Sequence, residues 1–296
     1  MELKTTIEHR YQLEADGAVS YSSAVFRATD LCYQRKVLVK RFSYTPELAK
    51  VQQLPAFIRQ HKQEGMAQMR IAQFTPFVPR IYEMFYDEAT RAFYIVMELL
   101  PGKTLAEKMT EFRASGDPVR RFPQYIISLC GLLAVLEHQR IHHYDIKPAN
   151  VIIDREDRAY LIDFGTANET LAAGGNGTPA YRAPELQGEA SRILDRSKAD
   201  IYSVGVMLYE FYTGELPVLG KTHILKARAR DYSNAAWTET SKQPKDINPK
   251  IPEKLNDIIC KCMKASPKDR YQSAGALQRD LKNYCRGGGQ GKKRRG

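Results

Sequence analysis

The residues best able to do chemistry stand close together. They are the run His143-Tyr144-Asp145-Ile146-Lys147-Pro148-Ala149-Asn150-Val151-Ile152-Ile153-Asp154 and, after a short polar turn, Ile162-Asp163-Phe164-Gly165. Asp145 can orient or deprotonate a hydroxyl, and Lys147 can neutralise charge on a moving phosphate. Asn150 and Asp163 offer oxygen ligands to a hard divalent cation. These are the kinds of group that phosphoryl transfer needs. His142 and His143 are adjacent, but neighbouring loop residues diverge and no Cys or third His is near, so coordination of a metal by protein histidines is not expected.

Such groups must be held by short strands flanking the turn and by larger elements around them. Between 11 and 98 the text is strand-like: Ala24-Val25-Phe26-Arg27-Ala28, Lys36-Val37-Leu38-Val39-Lys40-Arg41-Phe42, Arg80-Ile81-Tyr82-Glu83-Met84-Phe85 and Phe93-Tyr94-Ile95-Val96-Met97-Glu98 alternate or run β-rich. One helix, over about 56–71, interrupts them. After the breaker pair Pro101-Gly102 the character changes to long helical patterns. The stretch 123–140 carries Ile126, Ile127, Leu129, Cys130, Leu132, Leu133, Val135 and Leu136, too apolar for a surface helix. Another core helix is expected over 199–212, and amphipathic helices over 252–263 and 273–284. No internal repeat of solenoid period is present.

The chain has 296 residues, of which 43% are apolar and 27% charged; 45 Lys and Arg against 34 Asp and Glu give a net charge of +11. This excludes intrinsic disorder, collagen and a disulfide miniprotein, and a soluble globular protein is expected. The five cysteines, Cys32, Cys130, Cys260, Cys262 and Cys285, are odd in number and scattered, which favours a reducing cytosol over a disulfide framework. Cys260 and Cys262 fall in an apolar-periodic stretch and read as helix residues. Met1-Glu2-Leu3-Lys4 has no apolar run behind it, so no signal peptide is expected. The longest uncharged stretch, 122–136, is shorter than the ~20 residues that cross a bilayer. Arg286, Lys292, Lys293, Arg294 and Arg295 concentrate charge in a Gly-rich tail, 286–296, expected to be disordered. That tail is either a solvated end or a polybasic segment for anionic lipid or nucleic acid.

The chemical run closely resembles the catalytic loop H-R-D-x-x-x-x-N and the D-F-G motif of protein kinases. The resemblance extends over nearly the whole chain. Thr178-Pro179-Ala180-Tyr181-Arg182-Ala183-Pro184-Glu185 resembles the substrate-docking loop ending in A-P-E. Asp200-Ile201-Tyr202-Ser203-Val204-Gly205 resembles the start of the central buried helix, Pro267-Lys268-Asp269-Arg270 the late arginine motif, and Val37-Leu38-Val39-Lys40 the V-A-I-K strand. Each motif alone is short enough to arise by chance; the ordered series at compatible spacings is not. The implied fold class is α+β, a bilobal protein kinase fold with a small antiparallel β-sheet lobe carrying one helix and a larger, mainly α-helical lobe. Its kinase domain would span 1–285, with an N-lobe at 1–98, a hinge at 98–102 and a C-lobe at 103–285.

The resemblance implies a role for each matched residue. Lys40 would hold the α/β-phosphates of ATP and pair with a glutamate of the first-lobe helix. Between Leu48 and Tyr82 the only acidic residue is Glu64, although Gly65 beside it weakens the helix by roughly 1 kcal/mol relative to Ala. Asp145 would be base or orienter and Lys147 the cation on the γ-phosphate. Asn150 and Asp163 would bind Mg²⁺, with Mn²⁺ as an alternative. Met97 would guard the rear of the purine pocket, backbone groups near Glu98 and Leu100 would bond adenine, and Leu38 would lie against the ring. His143 would pack on Phe164, beside Gly165; Glu185 would pair with Arg270; Asp200 would open the buried helix. Thr166, Thr170 and Thr178 are the hydroxyl residues of the activation segment, and Thr178 would bond Asp145 and Lys147.

Departures from the pattern matter too. Aligning Val25 with the valine of G-x-G-x-x-G-x-V puts Ala18, Ser20 and Ser23 at the ATP-covering glycine positions, a stiffer and bulkier loop. Leu38 replaces an alanine and adds volume at the adenine contact. Tyr144 replaces the arginine of H-R-D and cannot grip a phosphate bidentately, so full activity is not expected to need activation-loop phosphorylation.

Lys147 and the Gly-Thr-Pro-Ala-Tyr loop match the Ser/Thr branch, and the compact chain looks like the bacterial eukaryotic-like (Hanks-type) serine/threonine kinases. The expected activity is transfer of the γ-phosphate of MgATP to Ser/Thr hydroxyls of proteins, itself included. The alternative is a pseudokinase, a nucleotide-sensing or scaffolding module, favoured by the altered glycine loop and Leu38 and disfavoured by the filled charged positions. Small-molecule kinases generally lack A-P-E and the late arginine, and a sequence-specific nucleic-acid partner is not expected. A cytoplasmic location follows by analogy, with the tail either touching anionic lipid at the inner face or preceding a membrane span missing from this sequence.

Overall fold

The computed structural model describes residues 6–7, 10–14, 18–19, 24–115, 122–165, 179–186, 195–217 and 242–287. The chain divides into two compact units, Met1–Pro101 and Gly102–Gly296.

The first unit is an antiparallel sheet with helices attached. Its strands are β1 (Thr6–Ile7), β2 (Tyr11–Leu13), β3 (Ala18–Val19), β4 (Ala24–Asp30), β5 (Arg35–Ser43), β6 (Ile81–Asp87) and β7 (Ala92–Glu98). Their order among the described residues is β1-β2-β4-β5-β7-β6, with β3 paired to β4. Alternation along β5 sorts its side chains. Val37 and Val39 join a core with Tyr11, Ala28, Tyr94 and Val96. Phe42 and, at its margin, Leu38 join another with Phe57, Phe93, Ile95 and Met97. Lys40 lies between Leu38 and Phe42 on their face of the strand.

A short helix, α1 (Pro46–Ala49), capped by the Thr45 hydroxyl, leads into α2 (Leu54–Ala72). Pro55 stands in the first turn of α2, where its missing N–H costs no helical bond. The helix buries Phe57, His61, Gly65, Gln68 and Ile71, whose four- and three-residue steps mark one face. At Gly65 that face lies close against the sheet. A Cβ there would lie 2.1 Å from the Met84 Sδ on β6. The glycine that reads as a weakness in the helix is therefore what admits the strand's methionine.

The second unit opens at Gly102, whose φ of +136° suits only glycine, and where a Cβ would lie 2.3 Å from the Ile153 carbonyl oxygen. Strands β8 (Lys103–Thr104), β9 (Val151–Ile153) and β10 (Ala159–Leu161) form a small antiparallel sheet in the order β10-β9-β8. The helices are α3 (Leu105–Ser115), α4 (Phe122–His138), α5 (Ala199–Thr213), α6 (Pro244–Ile247), α7 (Glu253–Cys262) and α8 (Ala274–Gly287). Both α4 and α5 are apolar around most of their circumference and are buried accordingly, α5 along nearly its whole length. α4 packs on α8 and β10, and α5 on α7. Each large apolar side chain so covered contributes about 1.5–3 kcal/mol. On α7, Cys262 is fully buried and its thiol is pushed well up by desolvation.

One boundary differs from the sequence expectation. α8 continues through Arg286 and Gly287, two residues into the stretch expected to be a disordered tail. The Arg286 cation lies in the last turn, where it suits the negative end of the helix dipole. The remaining tail residues lie outside the described residues. Among the described residues no helix is long and apolar enough to cross a membrane.

Candidate active site

In the first unit, β5 and α2 bring Lys40 and Glu64 together. Lys40 Nζ donates to Glu64 Oε1 at 2.8 Å, and the two side chains are only 12% and 13% exposed. At that burial the pair is screened far less than a surface ion pair. Lys40 Nζ also lies 5.0 Å from the centre of the Phe42 ring.

Sequence reasoning missed a neighbour, His61, one turn earlier on α2. Its ring stacks on Phe42 with centroids 3.8 Å apart, and its Nδ1 lies 3.7 Å from Glu64 Oε2. The three-residue spacing to Glu64, which places both on one helix face, is the signal that could have found it.

Most of the residues expected to line a purine pocket also fall on this sheet. Leu38 pairs in register with Met97, and Val25 with Lys40. Ala18 lies in β3, opposite Val25. Glu98 ends β7 with its N–H donated to the Arg80 carbonyl at 2.8 Å and its carboxylate accepting the Arg80 N–H at 3.2 Å. This pins the chain just before Leu100, which is buried. Ser20, Ser23, Thr166, Thr170 and Thr178 lie outside the described residues.

In the second unit, Asp145 is the centre of a polar cluster. Its Oδ2 accepts from Lys147 Nζ at 2.8 Å and from Asn150 Nδ2 at 2.9 Å, and Asn150 Nδ2 also donates to the Asp145 carbonyl at 2.9 Å. With the amide nitrogen on Asp145, the Asn150 oxygen is the end left to face a cation. The β9-β10 hairpin then decides where Asp163 falls. Its ladder closes with Ile162 N–H donating to the Asn150 carbonyl at 3.0 Å, so Asn150 and Asp163 stand together at the open end of one hairpin. A single Asp, Asp154, ties its turn by accepting the N–H groups of Glu156 and Arg158 and the Arg158 Nε.

The loop backbone is held from beneath by α5. Asp200 Oδ2 accepts the His143 N–H at 2.8 Å and Oδ1 the Tyr144 N–H at 2.7 Å, both bonds buried. Tyr144 and Asp163 have φ of 63° and 67°, left-handed values that are strained for non-glycine residues by about 1–3 kcal/mol each. Two charge-assisted bonds to Asp200 offset that strain at Tyr144.

His143 links the two halves of the cluster. Because a carbonyl can only accept, its Nε2 carries the proton donated to Ile162 O at 3.0 Å; its Nδ1 then accepts the Asp145 N–H at 3.3 Å. The same ring meets Phe164 edge-on, centroids 4.8 Å apart, next to Gly165. The Tyr144 ring is buried against the Arg196 guanidinium, 4.9 Å from its centre, and desolvation pushes its hydroxyl pKa up.

Farther along, Arg270 donates from Nη1 and Nη2 to the two oxygens of Glu185, at 2.5 and 2.7 Å. A second grouping, which sequence spacing does not reveal, joins Tyr181 and Arg113 to Glu210 on α5.

The sequence profile described as the protein kinase domain matches residues 12–281. Similar curated proteins include one from Clostridium acetobutylicum named as a probable serine/threonine-protein kinase, 30% identical over 94% of this chain and 40% of its own. Serine/threonine-protein kinase PrkC of Bacillus subtilis is 29% identical over 93% of this chain and 40% of its own. Serine/threonine-protein kinase PknB of Mycolicibacterium smegmatis is 30% identical over 94% and 44%. The chain thus spans about two fifths of the length of these relatives. With the match running from β2 into α8 and the α+β architecture agreeing with it, the chain belongs to the protein kinase domain family.

Proposed function

We propose that the protein is an ATP-dependent serine/threonine protein kinase. The observation that carries this is the Asp145 cluster, in which one carboxylate oxygen receives both Lys147 and Asn150. An acceptor hydroxyl brought to Asp145 would be oriented by that carboxylate and give up its proton to it. Lys147, already beside Asp145, is placed to neutralise charge on the phosphoryl group in flight. Lys40, held by Glu64, serves the α/β-phosphates. Met97, Leu38, Glu98 and Leu100 serve the purine, and Leu38 gives that pocket a bulkier roof than alanine would.

The Asn150 amide oxygen and the Asp163 carboxylate are hard oxygen donors, the set that suits Mg²⁺ or Mn²⁺. Such a cation, when bound, supplies charge neutralisation at the nucleotide oxygens. The substrates are Ser/Thr-bearing proteins, the protein's own threonines among them, and the names of the relatives support that class. The setting is signalling in the cytoplasm, where the basic C-terminal residues would be a solvated end, a contact for anionic lipid, or the lead into a membrane span. The presence of Lys40, Glu64, Asp145, Asn150 and Asp163 weighs against the scaffolding alternative.

The test is transfer of labelled phosphate from ATP with Mg²⁺ onto the protein itself and a generic protein substrate. Incorporation that disappears in Asp145→Asn supports the reading; the loss expected for removing a general base is about 10²–10⁴-fold. No incorporation by the unaltered protein overturns it.

A further inference from the structure

Phe42, Phe57 and Phe93 of the first unit enclose the imidazole of His61 on α2. Phe42 stacks on it with centroids 3.8 Å apart, Phe57 meets it edge-on at 4.6 Å, and Phe93 lies 6.2 Å away. These rings fix the plane of the imidazole, and the residue is only 8% exposed. A phenylalanine would fill this slot as well. Histidine brings a polar atom into it: Nδ1 is buried and makes no hydrogen bond among the described residues. An unmatched polar atom in an aromatic cluster costs free energy that an apolar ring avoids, so its presence points to a partner that takes it up.

The partner within reach is Glu64. Its carboxylate turns Oε1 to Lys40 Nζ at 2.8 Å and leaves Oε2 facing His61 Nδ1 at 3.7 Å. That is about 0.7 Å beyond a hydrogen bond of ordinary length. The two residues share one face of α2, three positions apart, and the carboxylate torsion of a glutamate is broad. The gap therefore closes by rotation of the Glu64 side chain, with the flexible Lys40 side chain following and no movement of the helix.

Nucleotide binding supplies the reason for it to close. Phosphate oxygens that draw on the Lys40 ammonium take part of the charge that balances Glu64, whose side chain is 13% exposed. A second donor then holds the carboxylate. We infer that His61 is a positioning residue for the transfer reaction. With its proton on Nδ1 it donates to Glu64 Oε2, fixes the carboxylate in the orientation that grips Lys40, and so sets Lys40 for the α/β-phosphates. The inference rests on the protein-kinase reading above and adds to it a residue that acts through Glu64.

Two substitutions separate the donor from the ring. His61→Phe keeps the stacked shape and removes Nδ1. It should melt no lower than the unaltered protein yet lose about tenfold in kcat/KM for ATP, the size of one charge-assisted hydrogen bond. His61→Asn gives up the ring and should melt lower, but it places an amide N–H near the position of Nδ1 and should recover most of that loss. A purely structural role gives the reverse order of activities. An Asn variant no more active than the Phe variant overturns the inference, as does a Phe variant that keeps the unaltered kcat/KM.

The full chain, with its histidine nitrogens isotopically labelled, gives by NMR a readout that needs no turnover. The His61 signal, identified by its absence from His61→Phe, should show a protonated Nδ1 in the protein alone, because the bond that a ring nitrogen makes decides which one carries the proton. Its proton should move downfield on addition of MgADP as the bond shortens. A bare Nδ1 overturns the inference, as does a proton that stays unmoved when a raised melting temperature shows the nucleotide bound. Failure of the kinase reading shows separately, as absence of Asp145-dependent phosphate transfer, while the proton on Nδ1 still decides the role of His61.

Discussion

Arg270 and Glu185, 85 residues apart in sequence, form a bidentate ion pair in which neither side chain is exposed. Each remaining donor of the guanidinium is also satisfied: Nε by the Lys264 carbonyl, Nη1 by Lys198 and Nη2 by Ala265. Five donors matched to five acceptor bonds make this the fastening that holds the Pro184–Leu186 turn to the helical core. Removing one partner strands a buried charge, so Arg270→Ala should lower unfolding stability by about 3–5 kcal/mol. Arg270→Lys, with three donors and no fork, should recover only part of this. Urea denaturation measures both; a loss within 0.5 kcal/mol, the ~0.5 scale of ordinary surface substitutions, would contradict the structure.

Lys40 and Glu64 separate catalytic from structural cost. Lys40→Met should reduce phosphate transfer by about 10²–10³-fold, the scale of losing one preorganised charge contact. It also leaves the Glu64 carboxylate without its cation at low exposure. Adding Glu64→Gln removes the orphan charge, so the double variant should be more stable than Lys40→Met and no more active. A double-mutant cycle read by both denaturation and transfer checks this.

Tyr144 makes regulation testable. Its ring is buried against Arg196, and a phenol offers no bidentate fork to a phosphate. Turnover should therefore be the same before and after treatment with phosphatase. A large loss on dephosphorylation would refute this.

Asp30 should govern part of the acid stability. Arg10 donates to both its oxygens at 2.9 and 3.0 Å, and the Cys32 and Tyr33 N–H groups add to them; the carboxylate is fully buried and its pKa is held below the ordinary value chiefly by Arg10. A folded pKa below the unfolded one, about 3.9, means the stabilisation is complete above that value and is lost as pH falls through the folded pKa. Asp30→Asn should be less stable at neutral pH and show a shallower loss below about pH 4. Unfolding midpoints across an acid series would show the difference in slope.

Much of the architecture was legible because it is written in local patterns. The alternation in Val37-Leu38-Val39-Lys40 puts Lys40 on the face of Leu38 and Phe42 before any partner is known. The unbroken apolar character of α4 and α5 marks them as core helices. Glu64 could be named because no other acid lies between Leu48 and Tyr82. The helix end at Gly287 was not legible, because Gly and Arg near a terminus read as tail by composition while a helix C-terminus accommodates both.

What the sequence by itself determined is the inventory and order of the chemical groups: Lys40, Asp145, Lys147, Asn150 and Asp163 are recognisable from short runs with their own spacing, and Glu64 as the one acid in its stretch. Beyond the Lys40–Glu64 and Glu185–Arg270 pairs that the resemblance implied, only the tertiary structure decided which residues meet across long separations. It put Met84 against Gly65, His61 beside Glu64 and over Phe42, Asp200 under the backbone of Tyr144, and Arg113 with Tyr181 on Glu210. Most of these contacts have no sequence period, because they join elements brought together by burial of apolar faces, and a face specifies that it must be covered without specifying which polar neighbour arrives with the cover.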